Sequence, residues 1–151
     1  MTGAQSDSRP QTILAFDYGE RRIGVACGNT LTRSARPLTT LVRGLNTPWD
    51  EIASLVKEFA PSKFVVGLPY NMDGTDTALS QPVRDFAAEL KTRFALPAIL
   101  VDERLSSHAA VEELRDARAS GSKRRRVARG DIDMTAAKVL LEQWLRQQTS
   151  P

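Results

Sequence analysis

The segment that most constrains the fold is Thr12–Gly28, which reads TILAFDYGERRIGVACG. An apolar run ends at Asp17, a glycine follows at Gly19, and a second apolar run begins at Ile23. This pattern predicts a β-hairpin with a carboxylate at the tip of its first strand. Burial of a carboxylate there is costly unless a metal ion or another positive partner holds it. The plainer alternative is an aspartate that opens a turn and accepts hydrogen bonds from backbone N–H groups.

Apolar runs and helical spacing predict the order of the elements along the chain. The predicted strands are Ile13–Tyr18, Ile23–Gly28, Ala35–Val42, Lys63–Leu68 and Ala98–Val101. The predicted helices run from Thr47 or Asp50 to Phe59, from Ala78 to Phe94, from Ser106 or Ser107 to Arg118, and from Met134 to Gln147. The first strands are close enough for hairpins, whereas helical crossovers make the later strands parallel to the first. We therefore expect an α/β fold whose five-stranded mixed sheet begins with three antiparallel strands and carries helices on both faces.

The length of 151 residues is that of one domain with a sizeable core. We expect residues 12–147 to form this domain, with a disordered tail over residues 1–11 and a flexible basic loop at about 119–130. No apolar run approaches the roughly 18 residues of a membrane helix, so we expect no membrane partner. Cys27 is the sole cysteine, which excludes an internal disulfide and favours a cytoplasmic protein.

Positive charge is concentrated in one segment of the chain. Five basic residues and no acidic residue lie within it: Lys123, Arg124, Arg125, Arg126 and Arg129. Without these five charges the net charge of +3 becomes −2, so the basicity is local. A flexible basic loop favours contact with the phosphate backbone of a nucleic acid. A solvated charge run without a function is the alternative.

Several acids are predicted to meet at one edge of the sheet. Asp17 ends the first strand, Glu103 follows the last strand, and Asp131 and Asp133 precede the final helix. Ligands of open α/β sheets gather at the carboxyl ends of the strands, and carboxylates that meet there repel one another unless cations bind. Oxygen ligands suit Mg²⁺ or Mn²⁺, and two such ions would support phosphodiester hydrolysis. A histidine-rich metal centre is excluded because His108 is the sole histidine.

Simpler roles exist for some of these acids. Asp133 would make a good N-cap for the final helix. Asp131 would be a loop charge that interacts with the positive charge of Arg129 or with the helix dipole. Asp102 and Glu103 are adjacent in an extended segment, so their side chains point to opposite faces. One of the two alone should therefore face the predicted site.

Four motifs appear together: AFDYGERRIGVA at 15–26, VVGLPYNMDG at 65–74, DERLSS at 102–107 and DIDMTAAKVLLE at 131–142. With these motifs the chain resembles the YqgF/RuvX family, within the ribonuclease H-like superfamily that includes the RuvC Holliday junction resolvases. The resemblance implies a five-stranded mixed sheet, dependence on Mg²⁺ or Mn²⁺, and nuclease activity. It implies two alternative substrates, the 5′ end of pre-16S ribosomal RNA and branched DNA such as a Holliday junction in recombination and repair.

By this resemblance the three acids of the family fall on Asp17, Glu103 and Asp133. Asp131 departs from the family pattern, so its role as a fourth ligand stays open. If Lys63–Leu68 lies between the strands that carry the first two acids, Glu103 must reach across roughly 10 Å. Gly67 would leave that path open because it has no side chain.

The expected contacts with nucleic acid come from Arg21, Arg22, Asn71 and Arg104, together with the basic residues from Lys123 to Arg129. The partner would be pre-rRNA, branched DNA or single-stranded DNA. Symmetric junction arms would favour a homodimer, although no exposed apolar stripe identifies its interface.

Two other functions are weighed against this one. An Asp-x-Gly hairpin also opens actin-like ATPases, but those proteins need two large lobes and this chain supplies one. A non-catalytic nucleic-acid-binding or ribosome-assembly factor could use the same fold, because a fold does not guarantee an activity.

Overall fold

The computed structural model describes residues 10–103 and 129–148, with side chains in the second range described from residue 132 onward. The predicted helix that ends at Arg118 lies outside these ranges, as do most of the predicted tail and of the predicted basic loop. Gln11, predicted as the last residue of the tail, instead exchanges hydrogen bonds with Thr30, at 2.9 and 3.0 Å. No helix in the described part of the chain is both long and apolar enough to cross a membrane.

The described elements form one mixed sheet with helices. They are β1 (Thr12–Tyr18), β2 (Arg22–Asn29), β3 (Ser34–Val42), α1 (Trp49–Phe59), β4 (Lys63–Leu68), α2 (Ser80–Phe94), β5 (Ala98–Asp102) and α3 (Arg129–Gln147). The strand order is β3-β2-β1-β4-β5. The pairs β1–β2 and β2–β3 are antiparallel, whereas β1–β4 and β4–β5 are parallel. The predicted five-stranded mixed sheet is confirmed.

Alternate residues of β1 supply two separate cores, because successive side chains of a strand point to opposite faces. Leu14, Phe16 and Tyr18 pack in the core that also receives α1 and α2. Ile13 and Ala15 pack in the core on the other face, with α3. The helices therefore cover both faces of the sheet, as predicted.

The third strand differs from its predicted pattern. The sequence places Leu38 and Val42 on one face, but Val42 is 73 % exposed and Leu41 is buried. The register with β2 shifts between Val25 and Ala26, which leaves Leu38 as an extra residue in β3. A β-bulge of this kind exchanges the faces of the residues that follow it.

Two helices begin differently from the prediction. Pro48 stands before α1, and no side chain caps this helix, so neither Thr47 nor Asp50 is its N-cap. The final helix begins at Arg129 and not at Met134. Asp133 consequently lies inside the helix, and the alternative that it acts as the N-cap is wrong.

The close approach of α3 to β2 depends on a glycine. A Cβ atom added to Gly24 would overlap the backbone carbonyl of Asp133 and the backbone nitrogen of Met134. Since both obstacles are backbone atoms, a side chain at this position would force the helix away from the sheet.

We expect Gly24→Ala to lower the free energy of unfolding by about 1–3 kcal/mol, because α3 would have to move off the sheet. Urea unfolding followed by circular dichroism measures the change. Gly44→Ala is the matched control, since an added Cβ there meets no atom within 4 Å. Equal stability of the two variants would contradict this explanation.

Candidate active site

Asp17 lies near the end of β1, on the face that α3 covers. It follows Ile13 and Ala15 in the alternation of the strand, so its side chain points beneath the helix. Its partner on β2 is Gly24. On the other side, the last parallel pair is Phe16 with Val66, and Gly67 is the next residue along β4. Asp17 is therefore flanked by glycines on both neighbouring strands.

Glu103 follows β5 directly and reaches Asp17. Its backbone N–H donates to the carbonyl oxygen of Leu68 at 3.2 Å, which continues the parallel ladder past the strand end. Its side chain shares a hydrogen bond with the carboxyl group of Asp17. A Cβ added to Gly67 would overlap the Oε2 atom of Glu103. The glutamate thus crosses the intervening strand at the glycine, as the sequence predicts.

Asp102 behaves differently from its neighbour. It is the last residue of β5 and is exposed, whereas Glu103 is partly buried beneath α3. Of this pair, Glu103 is therefore the acid that contacts Asp17.

Burial dominates the electrostatics of the carboxyl pair. Desolvation raises the pKa of Asp17 to about 6, although the hydrogen bond from Glu103 lowers it and the charge of Asp133 raises it. Desolvation also raises the pKa of Glu103 to about 9, with further contributions from the charge of Asp17 and from their hydrogen bond. The two carboxyl groups therefore hold one proton between them at neutral pH.

Asp133 is the third acid, and an arginine holds it. Its Oδ2 atom accepts a hydrogen bond of 2.7 Å from Nε of Arg22, at the start of β2. Gly24 lies two residues further along the same strand, where the backbone of Asp133 touches the sheet. The sequence predicts that Arg22 contacts nucleic acid. In the structure its guanidinium is paired with Asp133 of the same chain.

The donor set fits Mg²⁺ or Mn²⁺ in chemistry, since carboxylate oxygens are the ligands that these ions prefer. The side chains described here do not gather three candidate ligands around one point. Asp17 and Glu103 bond to each other, and Asp133 bonds to Arg22. A cation would have to replace the shared proton and share Asp133 with the arginine. The side chain of Asp131 lies outside the described residues.

Asn71 holds the loop that follows β4. Its side-chain amide donates to Oγ1 of Thr75 and to the carbonyl oxygen of Asp76, both at 3.0 Å. Its backbone carbonyl oxygen accepts a hydrogen bond of 2.8 Å from the N–H of Gly74. The φ of Gly74 is 88°, which suits a glycine. Loop formation is therefore an observed role of Asn71, and its contact with nucleic acid stays a prediction.

Arg43 is a residue of the site region that the sequence did not indicate. Its backbone N–H donates to the carbonyl oxygen of Arg21 at 2.8 Å, and its guanidinium donates to those of Gly19 at 3.1 Å and Glu20 at 2.8 Å. The guanidinium carbon lies 4.6 Å from the centre of the Tyr18 ring. Arg43 thereby fixes the turn between β1 and β2. It follows the third strand without any motif, so no sequence pattern marks it.

The other residues predicted to contact nucleic acid are Arg21, Arg104 and the basic residues from Lys123 to Arg129. Arg21 is exposed in the β1–β2 turn, and its proposed contact with nucleic acid is untested. Arg104, Lys123, Arg124, Arg125 and Arg126 lie outside the described residues, and so does the side chain of Arg129.

The raised pKa of Glu103 predicts that the metal-free protein loses stability as pH rises. The carboxyl group titrates near 4 in the unfolded chain, so between that value and about 9 the folded protein binds more protons than the unfolded chain. We expect a wild-type excess of about one proton near neutral pH. Glu103→Gln removes this excess, because its amide cannot titrate.

Thermal unfolding in the presence of a chelator, from about pH 5 to about pH 9, measures the slope of stability against pH. Asp102→Asn is the control and should nearly keep the wild-type slope, because the charge of Asp102 is the smallest of the causes that raise the pKa of Glu103. An unchanged slope in Glu103→Gln would show that the buried glutamate is not the source of the proton excess.

Comparison with known proteins extends over nearly the whole chain. Residues 11–147 match the RuvX family model, which is described as Holliday junction resolvase. A Burkholderia lata protein is 44 % identical, over 97 % of this chain and 95 % of its own length. An Edwardsiella ictaluri protein is 42 % identical, over 92 % of this chain and 97 % of its own length. Both relatives bear the name "Putative pre-16S rRNA nuclease".

Solved structures share the fold at low sequence identity. RuvC of T. thermophilus in complex with a Holliday junction substrate has a TM-score of 0.55 at 14 % identity, covering 92 % of this chain and 97 % of that one. The yeast mitochondrial Holliday junction resolvase Ydc2 has a TM-score of 0.54 at 13 % identity, covering 90 % of this chain and 78 % of that one. The sheet therefore has the ribonuclease H-like topology of the RuvC resolvases. Since the family match spans both sheet and final helix, the chain belongs to the RuvX family.

Proposed function

We propose that this protein is a metal-dependent nuclease that hydrolyses phosphodiester bonds in nucleic acid. Asp17, Glu103 and Asp133 would hold Mg²⁺ or Mn²⁺. The observation that carries the proposal is the partly buried carboxyl pair of Asp17 and Glu103, which meets across Gly67 beneath α3. Membership of a family of nucleases and resolvases supports the same class of reaction.

A purely structural role explains this pair poorly. Each buried carboxyl group loses its hydration, and the two groups repel each other once both are ionised. A cation bound between them would remove both costs. Such a cation supplies a polarised water and a counter-charge for the phosphate in hydrolysis, and a pair of cations is the common arrangement for this reaction.

The residues around the carboxyl pair would give a bound cation its space and its cover. The glycines on the neighbouring strands leave room for the carboxylates, and α3 covers them from one side. The pair lies at the C-terminal ends of the parallel strands, which is where ligands usually bind in open α/β sheets. The proposed site therefore places a pair of partly buried carboxyl groups at the edge of the sheet where a substrate would bind.

The proposed substrate is the precursor of 16S ribosomal RNA, processed at its 5′ end in the cytoplasm. The name of the relatives above 40 % identity supports this choice. Branched DNA is the second candidate, because the family description is Holliday junction resolvase. The basic residues from Lys123 to Arg129 and the side chain of Arg104 would contact the backbone in either case. A homodimer would suit a symmetric junction more than a single RNA strand.

We expect Asp17→Asn to reduce cleavage at least about a hundredfold, since it removes a ligand whose metal is worth several kcal/mol of transition-state stabilisation. The assay compares pre-16S rRNA and a four-way DNA junction with Mg²⁺, Mn²⁺ or EDTA. Circular dichroism and fluorescence anisotropy test folding and substrate binding, which should persist.

Asp102→Asn is the matched control and should retain cleavage, because its side chain is exposed beside the site. Cleavage by purified Asp17→Asn at the wild-type rate would overturn the proposal. Binding of both substrates by the wild-type protein with no cleavage under any metal would instead favour a non-catalytic binding factor.

A further inference from the structure

The ion pair between Arg22 and Asp133 joins two elements that are otherwise far apart in the sequence. The Nε atom of Arg22 lies 2.7 Å from Oδ2 of Asp133, and the two side chains are 31 % and 25 % exposed. Within the described part of the chain, Asp133 is the side-chain partner that the structure gives to Arg22. The contact uses Nε, so the terminal amino groups of the guanidinium are left for another acceptor.

An open cavity borders this ion pair. Its volume is about 180 Å³, and it is lined by Gly19, Glu20, Arg21, Arg22 and Asp133. The lining residues therefore include two arginines and two acids, and one of these acids, Asp133, is already paired with Arg22. A tetrahedral phosphate that enters would find donors on Arg21 and Arg22 and one opposing charge on Glu20.

The elements that carry the pair are fixed. The N–H of Gly19 donates to the carbonyl oxygen of Arg22 at 2.8 Å, which closes the turn before β2. Arg43 bonds the carbonyl groups of that turn, and Gly24 holds the backbone of Asp133 against the strand. We therefore expect the ion pair to open by rotation of its side chains, with the backbone of both elements in place.

We propose that Arg22 is a positioning residue that makes occupancy of the metal site depend on the phosphate backbone of the substrate. This inference rests on the proposed function. Without substrate, the guanidinium competes with a divalent cation for the carboxylate of Asp133. When a backbone phosphate enters the cavity, it accepts hydrogen bonds from Arg22 and offsets its charge, which releases Asp133 to the cation. Phosphate and metal then bind with positive coupling, and each raises the affinity for the other.

Isothermal titration of the full-length, metal-free protein with MnCl₂ tests this coupling. The titration is done with and without a short phosphorothioate oligonucleotide, whose backbone resists hydrolysis. In the wild-type protein the oligonucleotide should raise Mn²⁺ affinity about fivefold or more. Arg22→Gln should bind Mn²⁺ alone about fivefold more tightly than the wild type, and the oligonucleotide should no longer improve it.

Two further variants separate coupling from folding and from simple charge. Arg21→Gln removes a charge from the same cavity without touching Asp133, so it should weaken oligonucleotide binding and keep the coupling. Arg22→Lys keeps a positive charge beside Asp133, but a compact ammonium cannot serve both partners as a guanidinium does. It should bind Mn²⁺ alone as weakly as the wild type and lose the coupling. Circular dichroism melting confirms that each variant is folded.

Failure of the inference is distinct from failure of the proposed function. If the wild type binds Mn²⁺ and cleaves, but Arg22→Gln binds Mn²⁺ no more tightly or keeps the coupling, the role of Arg22 is overturned and the nuclease remains. If Arg22→Gln does not fold, retained coupling in Arg22→Lys overturns the role. If the wild type neither binds Mn²⁺ nor cleaves with it, the proposed function itself is overturned.

Discussion

The contact between the backbone of α3 and Gly24 of β2 is the constraint on which the site depends. It brings the helix so close that Leu140, Leu141 and Trp144 fill the core on that face of the sheet. The same contact sets the height of Asp133 above the strands. A larger residue at position 24 would move α3 away from the sheet. This movement would loosen the core on that face and also shift Asp133 away from the strands. The packing of α3 on the sheet and the position of Asp133 thus both require that residue 24 has no side chain.

The helix α3 also affects the ionisation of the carboxyl groups beneath it. By excluding water from one side of Asp17 and Glu103, it makes ionisation of both groups unfavourable, and a proton stays between them. At the rim, where water is accessible, Asp133 is neutralised by a side chain instead. The protein therefore balances the Asp17–Glu103 pair by protonation and Asp133 by an ion pair. In the proposed function, a cation would replace both arrangements.

Local patterns in the sequence predicted the parts of the site that lie on strands. Strand alternation placed Asp17 on one face, and the absence of a side chain at Gly67 explained how Glu103 reaches it. The pairing of Arg22 with Asp133 spans 111 residues of sequence and follows from the packing of α3, which no local pattern encodes. Arg43 was missed because its contacts with the turn between β1 and β2 arise from the pairing of β3 with β2, and no motif marks it. The start of α3 was placed too late because Gly130 has a low helix propensity that tertiary packing overrides.

The bulge in β3 bears on how copies of this chain can meet. An edge strand with regular spacing offers a template onto which a second sheet can add. Here the register shift breaks that spacing, and Pro37 contributes no N–H to a partner. Continuation of the sheet from one molecule into another through this edge is disfavoured. Helices, loops or the opposite edge of the sheet are therefore the more favourable surfaces for an assembly of two chains.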